Sequence, residues 1–206
     1  MDVLVTGGMG YIGSALLPLL ADADDVGRVV VLDSLASGSP RNLLEAPVDG
    51  DVDFRRGDVR EYGDVENAMG DVDTVIHLAA ITGAASTHDR RAETMAVNLD
   101  GTEHVVTAAR KLGVENLVFA SSCNNYGRAA STDIDETTDP DPLNPYAEAK
   151  VAAEDVLTEF AENTGANATA LRMSTNYGYA PGVRFNLVVN HFVFRALTGR
   201  PLTVYG

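Results

Sequence analysis

The chain opens on an apolar run without polar alternation, DVLVT (2–6), and runs of the same kind recur at VVVLD (29–33), VDTVIHLAA (72–80), NLVFASS (116–122) and ATALRM (168–173), with a weaker one at VDFRRGD (52–58). A strand with one wet face alternates polar and apolar residues; a strand covered on both faces does not, which is the signature of a parallel sheet. Between these runs the apolar positions recur every three or four residues, predicting helices at YIGSALLPLLA (11–21), YGDVENAM (62–69), the stretch 90–113 and PYAEAKVAAEDVLTEFAENTG (145–165). Asn144 suits the N-cap of the last helix and Pro145 its first position, where a missing N–H costs nothing. Strand and helix alternate as far as about Gly178, so residues 1–178 are expected to form an α/β domain with a parallel sheet wound on both sides. Residues 179–206 break the pattern and read as a loop, an apolar helix and a short closing strand, the beginning of a small C-terminal lobe.

Composition adds limits. At 206 residues and 45% hydrophobic content the chain can bury one real core. No apolar run approaches the roughly 18 residues of a membrane span, nothing resembles a signal peptide, and a single cysteine, Cys123, excludes an internal disulfide and a multi-cysteine metal cluster. A cytoplasmic protein away from membranes and without a metal is the expectation. The 30 acidic residues outnumber the 15 basic ones, for a formal charge of −15, and are spread along the chain. Such an acidic shell repels nucleic acid. It also suits a cytoplasm at very high salt, where screening removes the self-repulsion.

Candidate chemistry begins at TGGMGYIG (6–13), which follows the first strand and opens the first helix. Gly7, Gly10 and Gly13, with Tyr11 and Ile12 between them, permit a sharp turn and close approach of the backbone to a pyrophosphate facing the helix N-terminus. A glycine loop is also a common turn; what makes this one specific is Asp33 at the end of the second strand, 20 residues after Gly13. A carboxylate there accepts hydrogen bonds from ribose hydroxyls and repels a 2′-phosphate, and with uncharged Ser34 and Leu35 next to it the expected cofactor is NAD, not NADP; Arg41 is the only nearby cation. Further on, NPYAEAK (144–150) places Tyr146 and Lys150 one helical turn apart on one face. By spacing alone this is an ordinary surface pair, but Lys150 is one of only two lysines in the chain.

With the glycine loop, SSCNNYG (121–127) and YAEAK (146–150) in that order, the chain resembles the extended short-chain dehydrogenase/reductase family, in its NAD-dependent epimerase/dehydratase branch, where UDP-glucose 4-epimerase is the best-known member. GDVR (57–60), HLAA (77–80), VNLDGT (97–102), LRMSTNYG (171–178) and GRPLTVYG (199–206) match as well. The resemblance implies a Rossmann-type fold and assigns roles by position. Asp58 and Val59 would border the adenine; Leu78, Ala79 and Ala80 would pass beneath the cofactor; Asn98 would lie near the nicotinamide end, and Ser174 would complete the cofactor side. Asp58 also reads as a helix cap and Asn98 as a partner for backbone groups. Ser122 holds the position of the catalytic Ser/Thr, with Ser121 as runner-up, and Tyr146 and Lys150 complete the set. Thr82, Ser122, Thr175 and Asn190 are substrate candidates, with Asn186 beside them.

The implied mechanism needs Tyr146 ionised. A free phenol titrates near pH ~10, and lowering that by ~3 units takes ~4 kcal/mol of preferential stabilisation of the phenolate, to be supplied by the Lys150 ammonium and the positive nicotinamide ring together. The phenolate would take a proton from a sugar hydroxyl as hydride leaves the same carbon, and a keto sugar would take the hydride back on its other face. The family's dehydratases carry an Asp-Glu pair directly after the catalytic Ser/Thr. Cys123 and Asn124 stand there in this chain, which disfavours dehydration, and Cys123 is expected to be a small buried residue. Family members continue well past the closing VYG, so the cofactor half is expected to be complete and the nucleotide-sugar half not, as in a truncated or unusually short relative. The alternatives are a dehydrogenase or reductase of another hydroxyl substrate and a non-catalytic dinucleotide-binding protein. By family analogy a homodimer would form through helices 90–112 and 145–164.

Overall fold

The structure, a computed structural model, describes residues 1–45, 51–83, 87–128 and 133–203. Six strands, β1 (Asp2–Thr6), β2 (Arg28–Asp33), β3 (Val52–Arg56), β4 (Thr74–His77), β5 (Asn116–Ser122) and β6 (Asn167–Met173), form one sheet in the order β3-β2-β1-β4-β5-β6. Every neighbouring pair is parallel. The chain moves outward from β1 to β3, then returns across β1 to start the other half at β4. Beyond the carboxyl ends of β1 and β4 the crossover connections diverge and leave the crevice in which doubly wound sheets bind ligands.

The unbroken apolar runs are explained by the two layers of helices. In β1, Leu4 packs into a core with α3 (Tyr62–Met69), α5 (Gly101–Leu112) and α6 (Pro145–Thr164), while Val3 and Val5 pack on the other face with α1 (Tyr11–Ala21) and α2 (Arg41–Glu45). Successive side chains of a strand point to opposite faces, so a strand covered on both sides has no position left for a polar residue. β6, an edge strand, is largely exposed, with Leu171 45% accessible. After it a loop leads to the apolar helix α7 (Val188–Leu197), whose Val188, Val193 and Leu197 face solvent.

Three features depart from the sequence pattern. β4 stops at His77, and residues 78–80 leave the sheet to run beneath the glycine loop. The helix expected over 90–113 is broken into a single 3-10 turn (His88–Arg90), α4 (Arg91–Met95), a π turn (Ala96–Asp100) and α5. The widened turn is where the Asn98 side chain leaves the helix to bond Ile81, while the Thr102 hydroxyl donates to the Asn98 carbonyl at 2.8 Å; π turns of this sort often mark functional sites. The five-residue α2 gave no periodic signal. Of the expected closing strand, residues 201–203 are irregular and 204–206 lie outside the described residues.

Candidate active site

The glycine loop is held against the chain that leaves β4. Gly7 sits at φ +72°, and a Cβ there would lie 2.6 Å from the Ala79 nitrogen; a Cβ on Gly13 would lie 2.4 Å from the Gly8 oxygen. The first turn of α1 is thus pressed onto the loop. Gly10 caps that helix with no side-chain bond, so its N-terminal N–H groups face the crevice with their partial positive charge. Ala79 is tied down as well, its N–H donating to Thr6 Oγ1 at 3.3 Å.

Asp33 ends β2 beside this loop and is 8% exposed. Its Oδ2 accepts from the Met9 N–H at 2.9 Å and its Oδ1 from the Leu35 N–H at 2.8 Å, the second bond turning Leu35 into the left-handed region at φ 60°. A carboxylate has about four acceptor sites, so capacity remains for ribose hydroxyls. Asp58 is clasped by Arg60, whose Nε and Nη2 donate at 3.0 and 2.7 Å and hold its carboxyl below the usual carboxylate range. It is not a cap of α3: Glu61 is at the cap position, and Asp64 reaches back to accept from the Asp58 N–H at 3.0 Å. Val59 is buried where Gly101 brings α5 close to it.

Asn98 is fully buried in the π turn, its Oδ1 accepting from the Ile81 N–H at 2.8 Å and its Nδ2 donating to the Ile81 carbonyl at 2.9 Å. It fixes the path of residues 78–81 by acting as a strand partner for Ile81. This is the backbone-satisfying role its position left open.

Ser122, Tyr146 and Lys150 meet at the carboxyl edge of the sheet, 5%, 9% and 1% exposed. Asn144 caps α6, accepting from the Ala147 N–H at 3.0 Å, and so fixes where the helix starts and which face carries Tyr146 and Lys150. Ser122 Oγ accepts from both the backbone N–H and Nδ2 of Asn124, each at 3.2 Å. Its acceptor sites are thereby filled, which leaves its proton to donate, and its hydroxyl favours the Tyr146 phenolate. Burial nevertheless keeps the phenol pKa above its ordinary value, against Ser122 and the positive charge of Arg184. The Lys150 ammonium lies 5.9 Å from the Tyr146 ring centroid. Lys150 itself is lowered to about 7 by burial, with Glu154 opposing.

Ser121, the runner-up for the catalytic hydroxyl, donates to Glu154 instead. Glu154 is gripped by Arg172 at 2.7 Å and accepts from Asn125 Nδ2 at 2.9 Å, while Arg172 also donates to the Tyr126 hydroxyl at 3.0 Å. Ser121 is therefore committed to a structural cluster, and of the two serines it is Ser122 that acts on the Tyr146 phenol. Cys123 is exposed, contrary to its expected burial, because the turn after β5 carries it outward, its thiol donating to the Arg172 carbonyl at 2.9 Å.

The substrate candidates divide. Thr82 accepts from the Arg184 guanidinium, which brings a cation into range of Tyr146. Ser174 and Thr175 are exposed just beyond the end of β6, and Asn186 is exposed in the next loop. Asn190 is engaged by the protein: its Oδ1 accepts from the Gly178 N–H at 2.9 Å, and its Nδ2 donates to Tyr11 Oη and to the Arg184 carbonyl, each at 3.1 Å. With the Tyr11 hydroxyl donating to the Gly178 carbonyl at 2.8 Å, Asn190 ties the loop 178–184 to α1. Arg184 and Asn124 are the site residues that sequence reasoning missed. Asn124 stands inside SSCNNYG, but its bond to Ser122 is not legible there, and Arg184 belongs to no motif. Among the described residues no His, Cys, Asp or Glu cluster is arranged to hold a metal ion, and no helix is long and apolar enough to cross a membrane.

A glycine loop at the switch point of a 3-2-1-4-5-6 sheet, with Ser, Tyr and Lys converging beside it, defines a Rossmann-type enzyme of the short-chain dehydrogenase/reductase kind. The comparisons agree, and the chain belongs to the NAD dependent epimerase/dehydratase family, which matches residues 3–206. It is 32% identical to a dTDP-glucose 4,6-dehydratase of Actinoplanes sp., over 100% of this chain and 66% of that protein. It is 32% identical to a UDP-glucose 4-epimerase of Streptomyces lividans, over 88% of this chain and 54% of that one. Among solved structures, the Thermus thermophilus UDP-glucose 4-epimerase in complex with NAD superposes with a TM-score of 0.84 at 34% identity, over 100% of this chain and 66% of that one. The chain thus spans between about half and two-thirds of the length of these relatives.

Proposed function

We propose that this chain is the cofactor-binding and catalytic part of an NAD-dependent nucleotide-sugar epimerase of the UDP-glucose 4-epimerase type. The observation that carries the reading is the meeting of Ser122, Tyr146 and Lys150 beside the glycine loop, with Cys123 and Asn124 in place of a carboxylate pair. The residues present fit NAD: an uncapped helix start behind Gly10 for the pyrophosphate, Asp33 with acceptor capacity for ribose hydroxyls, and a buried Lys150 ammonium with no carboxylate within ion-pairing range among the described residues. When bound, NAD supplies the hydride acceptor and returns the hydride to the sugar.

The remaining work belongs to the chain. Tyr146 Oη takes the proton of the reacting hydroxyl and later returns it to the ketone oxygen. Ser122, polarised by Asn124, donates to that same oxygen. Because burial holds the phenol above its ordinary range, ionisation near neutrality depends on positive charge arriving with the cofactor, added to that of Arg184. Asn124 accepts no proton from a sugar carbon at neutral pH, so elimination of water has no base at the second position after Ser122.

Tyr146→Phe tests the reading on full-length protein. The variant is expected to keep NAD affinity within about threefold and lose at least ~100-fold in turnover, and the unmodified enzyme is expected to interconvert epimers without net NADH. Stoichiometric accumulation of NADH would favour a dehydrogenase; an unaffected Tyr146→Phe variant would leave only a dinucleotide sensor. We further place the protein in a cytoplasm of high salt, on its charge of −15, and infer a homodimer formed through α4–α5 and α6 by analogy with the fold.

A further inference from the structure

The Lys150 ammonium is buried inside the protein, and among the described residues no carboxylate pairs with it. The charged and titratable groups around it are few. On its own helix stand Tyr146, whose ring centroid is 5.9 Å from Nζ, and Glu154 one turn on, already ion-paired with Arg172 of β6 at 2.7 Å. From β4 comes His77, which burial lowers to about 3 with Lys150 adding to the effect, so it stays neutral. Arg184 acts on the Tyr146 phenol from the loop. The contact that remains is Phe119 of β5, with Nζ 4.3 Å from the ring centroid.

Phe119 is held firmly in that place. It pairs in register with His77 across β4 and β5, and the two rings stack with centroids 5.6 Å apart and planes 27° from parallel. His77 is fixed in turn by Thr6 Oγ1 at 2.6 Å from Nδ1 and by Thr102 Oγ1 at 3.0 Å from Nε2. An aromatic face carries negative potential, and a desolvated ammonium above it is stabilised in its charged form. A neutral His77 leaves that potential available to Lys150.

We propose that Phe119 is a positioning residue of the active site, whose ring face holds the Lys150 ammonium charged and aimed at the crevice through the stack His77–Phe119–Lys150. The inference deepens the proposed function and rests on its reading of Lys150 as the cation of the site, but the contact is measurable without turnover.

The experiment replaces Phe119 in the full chain with phenylalanine analogues carrying one, two and three ring fluorines, which drain the negative face while nearly preserving shape. With 13Cε-labelled lysine the chain shows two resonances, Lys150 and the exposed, Glu66-paired Lys111 as internal control. The Lys150 midpoint is expected to fall stepwise with each fluorine, by about half a pH unit to 1.5 units in total, while Lys111 stays put. A Lys150 midpoint unmoved by fluorination overturns the proposal. In parallel, the alkaline limb of the turnover profile is expected to move to lower pH by the same interval. If the resonance moves and turnover does not follow it, the contact stands and the reading of Lys150 as the catalytic cation fails.

Discussion

Replacing Lys150 with Met removes a buried charge and keeps most of the side chain's volume, and its effect on stability follows from the titration of that one group. Lysine in the unfolded chain titrates at 10.5, whereas burial lowers Lys150 to about 7 in the folded protein. That difference corresponds to about 5 kcal/mol of preference for the neutral form at 1.36 kcal/mol per pH unit. The sign follows from linkage: below pH 7 both states are charged and the full penalty on folding applies. Between 7 and 10.5 the folded protein is mostly neutral while the unfolded chain still binds a proton, so the penalty shrinks as pH rises; above 10.5 it is gone. Methionine carries no such penalty at any pH. Since relaxation and trapped water soften the burial of charges, Lys150→Met is expected to stabilise the cofactor-free protein by about 3–5 kcal/mol at pH 6.5, and by under about 1 kcal/mol near pH 10.5. Urea unfolding of both proteins at several pH values between 6.5 and 10.5, followed by far-UV circular dichroism, measures this directly. A variant no more stable than its parent at pH 6.5, or a gain that does not shrink toward pH 10.5, would refute the claim that Lys150 is a strained buried cation. The same substitution is expected to abolish turnover, which separates the group's function from its cost to the fold.

Other outcomes follow from the same contacts. Asp33→Asn keeps the size of the side chain but removes its charge, and is expected to weaken NAD by about 10-fold or more, corresponding to one charged hydrogen bond of ~1.5–3 kcal/mol, and to narrow its preference over NADP; fluorescence titration with both nucleotides reads the two effects. Glu154→Gln leaves Arg172 without its counter-charge among groups only 20% and 12% exposed, and is expected to destabilise the protein by about 3–5 kcal/mol, measured by urea unfolding at pH 7; a change under about 0.5 kcal/mol would mean the pair behaves as an exposed one. Thermal midpoints in dilute buffer and in molar potassium chloride test the acidic shell: an upward shift of several degrees is expected as salt screens the charge of −15, and no rise would remove the case for a high-salt cytoplasm.

How much of this was legible without coordinates depends on the range of the interactions. Apolar runs, helical spacing, the Asn144–Pro145 helix start and the glycine loop are readable because each is set within a few residues by backbone geometry and by which faces must be covered. Hence the six strands lie close to where the pattern put them, and Tyr146 and Lys150 share a helix face as their spacing required. The choice between Ser121 and Ser122 was not readable. Ser121 is decided by Glu154, 33 positions away, and Ser122 by Asn124 and Tyr146. Arg184 enters the site through Thr82, 102 positions earlier, and Asn190, which looked free for a substrate, turns out to bind a loop to α1. Even the break in the long helix at Asn98 answers to Ile81, on another element. By itself the sequence determined the sheet, its two covering layers and the local cofactor loop, because periodicity and turn chemistry are short-range properties. Only the tertiary structure decided which polar group meets which, because a buried hydrogen bond or charge must find its partner wherever the packed chain happens to bring one.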